Sequence, residues 1–335
     1  MSAPIRLGII GAGGAVRTLH WPVLQKMARR FRIVAVASRS REKAEEFAAV
    51  AGGARVYGGY HELLADPDVD AVLTAVPIPS NARVLIDSVQ SGKHVIAEKP
   101  IAATPAEGLE ILQACSGAKA VVMIAENFRY RQDLLKARHI LDSGVIGEVF
   151  AFQLTIRLDL DAEIRKIWTE RPWRREAVHP GGFLLDSGVH PISFLRDLLG
   201  EVREVAAHTL DRHNVIRGPD SLMMQMKLEN GAAGHYFACY TTKGKQETPL
   251  DLVVYGSGGT LEVSAGRVEW SNGLTGGARF RVPKTDRGYV PQWQNFYDAI
   301  ERQAPVVSTP QRAFGDLLVI DAALRSAQQG KPVTL

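Results

Sequence analysis

Three short segments of this chain carry residue types whose spacing supports chemistry. Gly11-Ala12-Gly13-Gly14-Ala15-Val16 follows the apolar run Leu7–Ile10 and opens a helical pattern. A glycine at the first position permits a tight strand-to-helix turn, and one at the second lets the backbone approach a pyrophosphate, whose charge the helix start favours. Val16 stands where a third small residue closes the packing between helix and strand. The second segment, Ser38-Arg39-Ser40-Arg41, ends the next apolar run. An acidic residue there would hold the 2′-hydroxyl of NAD. Two hydroxyls and two guanidiniums suit a 2′-phosphate instead, because the arginine fork matches phosphate geometry. NADP is therefore favoured, with NAD as the other option. The third segment is Gly92–Pro100, which places Lys99 at the carboxyl end of a predicted strand. A lysine there can hydrogen-bond a substrate oxygen and exchange a proton. By position alone, a surface lysine fits equally well.

The elements that must hold these segments follow from apolar rhythm. Short runs rich in β-branched residues occur at Leu7–Ile10, Ile33–Ala37, Ala71–Val76, His94–Ala97 and Ala120–Ile124, with helical patterns between them. Runs of that length suit strands buried on both faces, and strand–helix alternation predicts a doubly wound parallel sheet. Leu19, Val23, Leu24 and Met27 form the expected inner face of the first helix, and Thr104-Pro105 is a helix start. Beyond residue 126 the rhythm changes. Alternating strands are predicted at Val149–Leu158, Val202–Leu210, Ser221–Leu228, Ala232–Tyr240, Leu252–Tyr255, Thr260–Ser264 and Arg267–Trp270. Turns at Glu229–Gly231, Gly256–Gly259 and Ser271–Gly273 suit antiparallel meanders. Two helices, Gln292–Glu301 and Phe314–Gln329, close the chain. The fold class is thus α/β: residues 1–125 form a Rossmann-type doubly wound parallel sheet. Residues 126–335 form an α+β domain for substrate binding and oligomerisation, and the C-terminal helices are free to pack back on the first domain.

Composition narrows the function classes. The chain has 335 residues, 46% hydrophobic and 23% charged, which is ordinary for two globular domains. Its two cysteines, Cys115 and Cys239, make no disulfide framework or metal spacing and read as small core residues. No metal site is expected. The opening apolar run is too short for a secretion signal, and no stretch reaches membrane-spanning length. A cytoplasmic protein is expected, without membrane partners. The net charge of +4 is dispersed among acids, so an anionic cofactor explains it better than nucleic acid.

The chain resembles the Gfo/Idh/MocA oxidoreductase family over nearly its whole length. The resemblance rests on the glycine turn, Ala71–Pro77, Gly92–Pro100 with its Glu-Lys-Pro, Glu126-Asn127-Phe128-Arg129-Tyr130, and Gly181–His190 with its D-x-G-x-H element. It implies a second domain with an open, mostly antiparallel sheet that commonly forms oligomer contacts. Lys99, Asp186 and His190 would be the catalytic trio. Asp186 and His190 lie four apart, on one helix face. Pro191 is expected to start or kink that helix. The candidates for the cofactor are Gly11, Gly13, Gly14, Ala15, Ser38, Arg39, Arg41, Pro77, Asn81, Glu98 and Lys99. Asn127, Arg129, Trp173 and Arg174 are candidates for the substrate. The loop holding Trp173 and Arg174 suits either a polyol pocket or a structural contact. Asn81 and Ser193 depart from residues common in the family, a histidine and an aspartate.

The implied activity is hydride transfer between nicotinamide and a secondary alcohol or carbonyl of a sugar, cyclitol or related polyol. The protein would act on small polar molecules as a homo-oligomer, a dimer or tetramer. Two other readings fit the same residues: a glycosidase that oxidises its substrate transiently with bound NAD(P), and a non-catalytic NADP(H)-binding redox sensor.

Overall fold

The computed structural model describes residues 3–160, 162, 179–212, 216, 218–243, 248–264, 266–274, 276–283 and 287–335. The chain divides into two compact units, Met1–Asn127 with Tyr289–Phe314, and Phe128–Gly288 with Gly315–Leu335.

The first unit is built on six parallel strands: β1 (Ile5–Ile10), β2 (Phe31–Ala37), β3 (Arg55–Tyr57), β4 (Ala71–Thr74), β5 (His94–Glu98) and β6 (Val122–Ala125). Their order is β3-β2-β1-β4-β5-β6, the doubly wound arrangement with its switch point between β1 and β4. Leu7, Ile9, Leu73, Val95 and Ile96 are wholly buried, because the sheet is covered on both faces. The helices here are α1 (Trp21–Lys26), α2 (Arg41–Val50), α3 (Tyr60–Ala65), α4 (Ile78–Gln90) and α5 (Pro105–Cys115). Thr104 and Glu107 form a reciprocal capping box at α5, with Pro105 in the first turn. The sequence pattern predicts neither the short strand β3 nor helix α3. Arg55-Val56-Tyr57 offers no apolar run to announce a strand.

Between the glycine turn and α1 the backbone makes a π-helical turn, Val16–His20, in which the Trp21 N–H donates to the Val16 carbonyl. Such a turn admits one residue beyond the α-helical repeat and rotates the helix after it by about 100°. The inner face is consequently Val16, His20, Val23, Leu24 and Met27, whereas Leu19, expected inside, is half-buried. Val16 is fully buried in the core, so the larger residue is accommodated where a small one was expected.

The C-terminal segment of this unit begins with a helix over Tyr289–Arg302, whose Trp293 and Phe296 are fully buried against Phe31. Burying two such aromatics contributes about 3–6 kcal/mol. The Ile124 N–H donates to the Ser308 carbonyl at 3.0 Å, which covers the edge at β6.

Among the described residues the second unit carries nine strands, β7 (Val149–Arg157), β8 (Val202–Leu210), β9 (Ser221–Leu228), β10 (Ala233–Cys239), β11 (Thr248–Gly256), β12 (Gly259–Ser264), β13 (Arg267–Asn272), β14 (Gly276–Arg281) and β15 (Val333–Thr334). Their order is β14-β13-β12-β11-β7-β10-β9-β8-β15. The β9–β10, β11–β12 and β13–β14 hairpins turn where the glycines indicated. All pairs are antiparallel except β7 with β10, which is parallel, so the sheet is mixed rather than a pure meander. The helices among the described residues are α6 (Gln132–Asp142) and α7 (Gly182–Leu199), followed by α8 for Tyr289–Arg302 of the first unit and α9 (Pro310–Gln329). Gly188 of α7 allows close packing on α9: a Cβ there would lie 2.9 Å from the Ile320 Cδ1 atom. Among the described residues no helix is long and apolar enough to cross a membrane.

Candidate active site

Parallel strands bring their carboxyl ends to one edge, and that edge gathers the cofactor candidates of the first unit. At the end of β1, Gly11 has φ of +98°, and its N–H donates to the Ala37 carbonyl at 2.8 Å. A Cβ on Gly11 would lie 2.3 Å from the Ala75 carbonyl oxygen, so only glycine fits. A Cβ on Gly13 would meet nothing within 4 Å. The backbone at Gly13 therefore faces open space at a helix start, whose first amides have no intrahelical acceptor. This cradle, with half-buried Gly14 and Ala15 beside it, fits a pyrophosphate.

At the end of β2, Ser38 is half-buried while Arg39 and Arg41 are exposed. Ser40 caps α2 by accepting the Lys43 N–H, at 3.3 Å. Arg41 donates to Glu45 at 2.7 Å, a surface pair worth only about 0.3–0.5 kcal/mol. Arg17, which no sequence motif singles out, ties this corner together. It donates to the carbonyls of Ala12 and Lys43 and pairs with Glu46. No local pattern announces that role, because Lys43 and Glu46 lie on another helix.

At the end of β4, Pro77 caps α4. Asn81, a cofactor candidate, is buried. Its Nδ2 lies 3.0, 2.9 and 3.1 Å from the carbonyls of Glu98, Pro100 and Ile101, so its two N–H groups are shared among three acceptors. It braces the turn that comes after β5. Half-buried Glu98 ends β5 and half-buried Lys99 opens that turn, whose Lys99–Pro100 peptide is cis. The edge from β2 through β1 and β4 to β5 spans three strand spacings of ~4.8 Å, about 14 Å, room for an extended dinucleotide.

The second unit presents Asp186 and His190 one turn apart on α7. Pro191 neither starts nor ends this helix, which runs unbroken from Gly182 to Leu199. Proline lacks an N–H, so the Ser187 carbonyl loses its usual donor just beside His190. The Ser193 hydroxyl donates to the His190 carbonyl at 2.7 Å, securing the backbone there. Asp186 is buried, while His190 is half-buried with its ring stacked on Phe128 at 4.7 Å. The Arg131 guanidinium packs over the same Phe128 ring at 4.5 Å. Tyr240 is wholly buried, and burial, helped by the charge of Asp186, pushes its phenol above the ordinary range. Neither Phe128 nor Tyr240 was a sequence candidate, because stacking partners on separate elements leave no spacing to read.

Arg129, expected at the substrate, is instead part of a buried ion network. Its guanidinium pairs with Asp197 and Asp316, and Arg196 pairs with Asp316 and with Glu201. The Arg129 side chain has no exposure. Removing it would take a buried cation from Asp197 and leave Asp316 with the Arg196 guanidinium, at a cost of about 3–5 kcal/mol. Arg129 thus serves the fold of the second unit. Asn127 is likewise buried, at the start of a helical turn over Asn127–Tyr130. Trp173 and Arg174 lie outside the described residues. The structure therefore brings Asp186 and His190 together on one helix and places Lys99 in the first unit.

Comparison with known proteins agrees with this geometry. Residues 5–126 match the model of the oxidoreductase family with an NAD-binding Rossmann fold, and residues 134–262 match the GFO/IDH/MocA C-terminal domain. The chain belongs to the Gfo/Idh/MocA oxidoreductase family, and it is an NAD(P)-dependent dehydrogenase with a nicotinamide cofactor. It is 30% identical to an uncharacterized protein of Saccharomyces cerevisiae, over 97% of this chain and 96% of that one. D-Apiose dehydrogenase of Rhizobium rhizogenes is 28% identical over 80% of this chain and 76% of its own. The crystal structure of an oxidoreductase from Thermotoga maritima superimposes with a TM-score of 0.91 at 33% identity, covering 99% of this chain and 98% of that one.

Proposed function

We propose that the protein is an NADP-preferring dehydrogenase or carbonyl reductase acting on a secondary alcohol or ketone of a sugar, cyclitol or related polyol. The observation that carries the cofactor preference is the end of β2, where Ser38, Arg39 and Arg41 stand in place of an acid. The substrate class is supported by the relative that is a D-apiose dehydrogenase. When bound, the nicotinamide supplies the hydride acceptor or donor.

The residues of this chain supply the rest. His190 takes the hydroxyl proton during oxidation and returns it during reduction, work suited to an imidazole. Lys99 hydrogen-bonds the same oxygen and stabilises the developing alkoxide charge. Asp186 orients a neighbouring hydroxyl. Assembly into a homo-oligomer is assigned to the open face of the nine-stranded sheet, which displays Met223, Phe237, Val253 and Tyr255 while the other face is buried.

Ser38→Asp tests the cofactor assignment. A carboxylate facing the 2′-phosphate is expected to lower the ratio of NADPH to NADH affinity at least about tenfold, measured by titration of each. An unchanged NADPH affinity would remove the case for NADP.

A further inference from the structure

His20 is fully buried inside the π-helical turn and has no part in the chemistry above. Its Nδ1 lies 3.1 Å from the Trp293 indole nitrogen, and its Nε2 lies 2.7 Å from the Glu98 carboxylate. An indole N–H only donates, so Nδ1 must accept and carries no proton. The ring is then neutral, with its proton on Nε2, and that N–H donates to Glu98 Oε1. The other Glu98 oxygen, Oε2, accepts the backbone N–H of Lys99 at 3.2 Å. From the other side, Asn81 holds the carbonyls of Glu98, Pro100 and Ile101. The main chain of Lys99 is gripped at its amide by this relay and on both flanks by Asn81.

The relay joins three elements remote in sequence: α8 through Trp293, the π-turn through His20, and the end of β5 through Glu98. The edges of the Tyr289 and Trp293 rings close around His20, with centroids at 5.8 and 5.7 Å. Glu98 is the charged group hydrogen-bonded to it. A side chain on a well-held main chain has fewer ways to miss a reacting oxygen, and small misplacements are costly in rate.

We propose that His20, fixed as its Nε2–H tautomer by Trp293, is a positioning residue that sets Lys99 through Glu98. This rests on the reading of Lys99 as a catalytic residue.

The test is a double-mutant cycle of His20→Leu and Lys99→Ala, with His20→Gln as the conservative variant and NADPH affinity measured throughout. His20→Leu is expected to lower kcat about 10- to 100-fold, with NADPH affinity held within about threefold. His20→Gln, whose amide can still donate to Glu98, should recover most of that rate. In the Lys99→Ala background, His20→Leu should add little further loss. An equal loss in both backgrounds would overturn the positioning role while leaving the reading of Lys99 intact. A Lys99→Ala enzyme of near-normal rate would instead overturn that reading, and the proposal with it.

A readout independent of turnover is the nitrogen NMR spectrum of the imidazole in the unsubstituted protein. It should show the Nε2–H tautomer, and a proton on Nδ1 would overturn the relay. Should the leucine variant fail to fold, Glu98→Gln takes its place in the cycle, with the same expected loss and the same opposing outcome.

Discussion

Lys99→Ala and His190→Ala are each expected to lower turnover at least about 100-fold, the lower range for acid–base groups, while NADPH still binds. The size comes from the work each group does in the proposed reaction. Loss of the imidazole removes the acceptor for the hydroxyl proton, and loss of the ammonium removes a donor to the oxygen on which charge develops. Neither side chain is a core element: both are half-buried. His190→Ala also frees one face of Phe128, but the Arg131 guanidinium still packs over that ring. Steady-state kinetics with both nucleotides, beside direct NADPH titration, separates a chemical loss from a binding loss. Near-normal rates in both variants would remove the proposed acid–base pair.

Gly11→Ala and Gly13→Ala are expected to weaken NADPH binding in two different ways. At Gly11, a φ of +98° costs an L-residue about 1–2 kcal/mol, and the new Cβ would sit 2.3 Å from the Ala75 carbonyl oxygen. That contact is with backbone, so the ends of β1 and β4 must part. Both melting temperature and NADPH affinity should fall, the affinity at least about 100-fold, equivalent to ~2.7 kcal/mol. At Gly13 the added methyl meets no protein atom within 4 Å. The melting temperature should stay unchanged while NADPH affinity drops, because the methyl fills the space the pyrophosphate needs. Unaltered NADPH affinity in Gly13→Ala would show that the cofactor does not use this turn.

Much of the fold was legible because burial leaves a period in the sequence. Val202–Leu210 and Ser221–Leu228 emerge with the predicted bounds, since half-buried strands alternate apolar and polar residues. The glycine turn and Thr104-Pro105 were readable for a similar reason: local geometry restricts the residue types there. What escaped depends on distant partners. The strands β3 and β14 are short and polar, and the parallel pairing of β7 with β10 is decided by the sheet rather than by either strand. The π-turn moved His20 inward in place of Leu19, and its partner Trp293 is 273 residues away. Among site candidates, the glycine turn, Ser38–Arg41, Pro77 and Lys99 share the carboxyl edge of one sheet, as parallel strands require. Asn81 and Arg129 have residue types suited to ligands, yet their hydrogen bonds go to the Lys99 turn and to buried aspartates. Composition cannot distinguish those uses. Cys115 and Cys239, expected in the core, are only half-buried, although burial still pushes the Cys115 thiol up to about 11.

The most direct test of dehydrogenase function is the formation of reduced nicotinamide when the protein is given NADP⁺ and a panel of sugars and cyclitols. At least one secondary alcohol of the panel should yield NADPH continuously, with one keto product formed per NADPH. Cleavage of a glycoside without net NADPH, or no turnover of any member by protein that binds NADPH tightly, would contradict it.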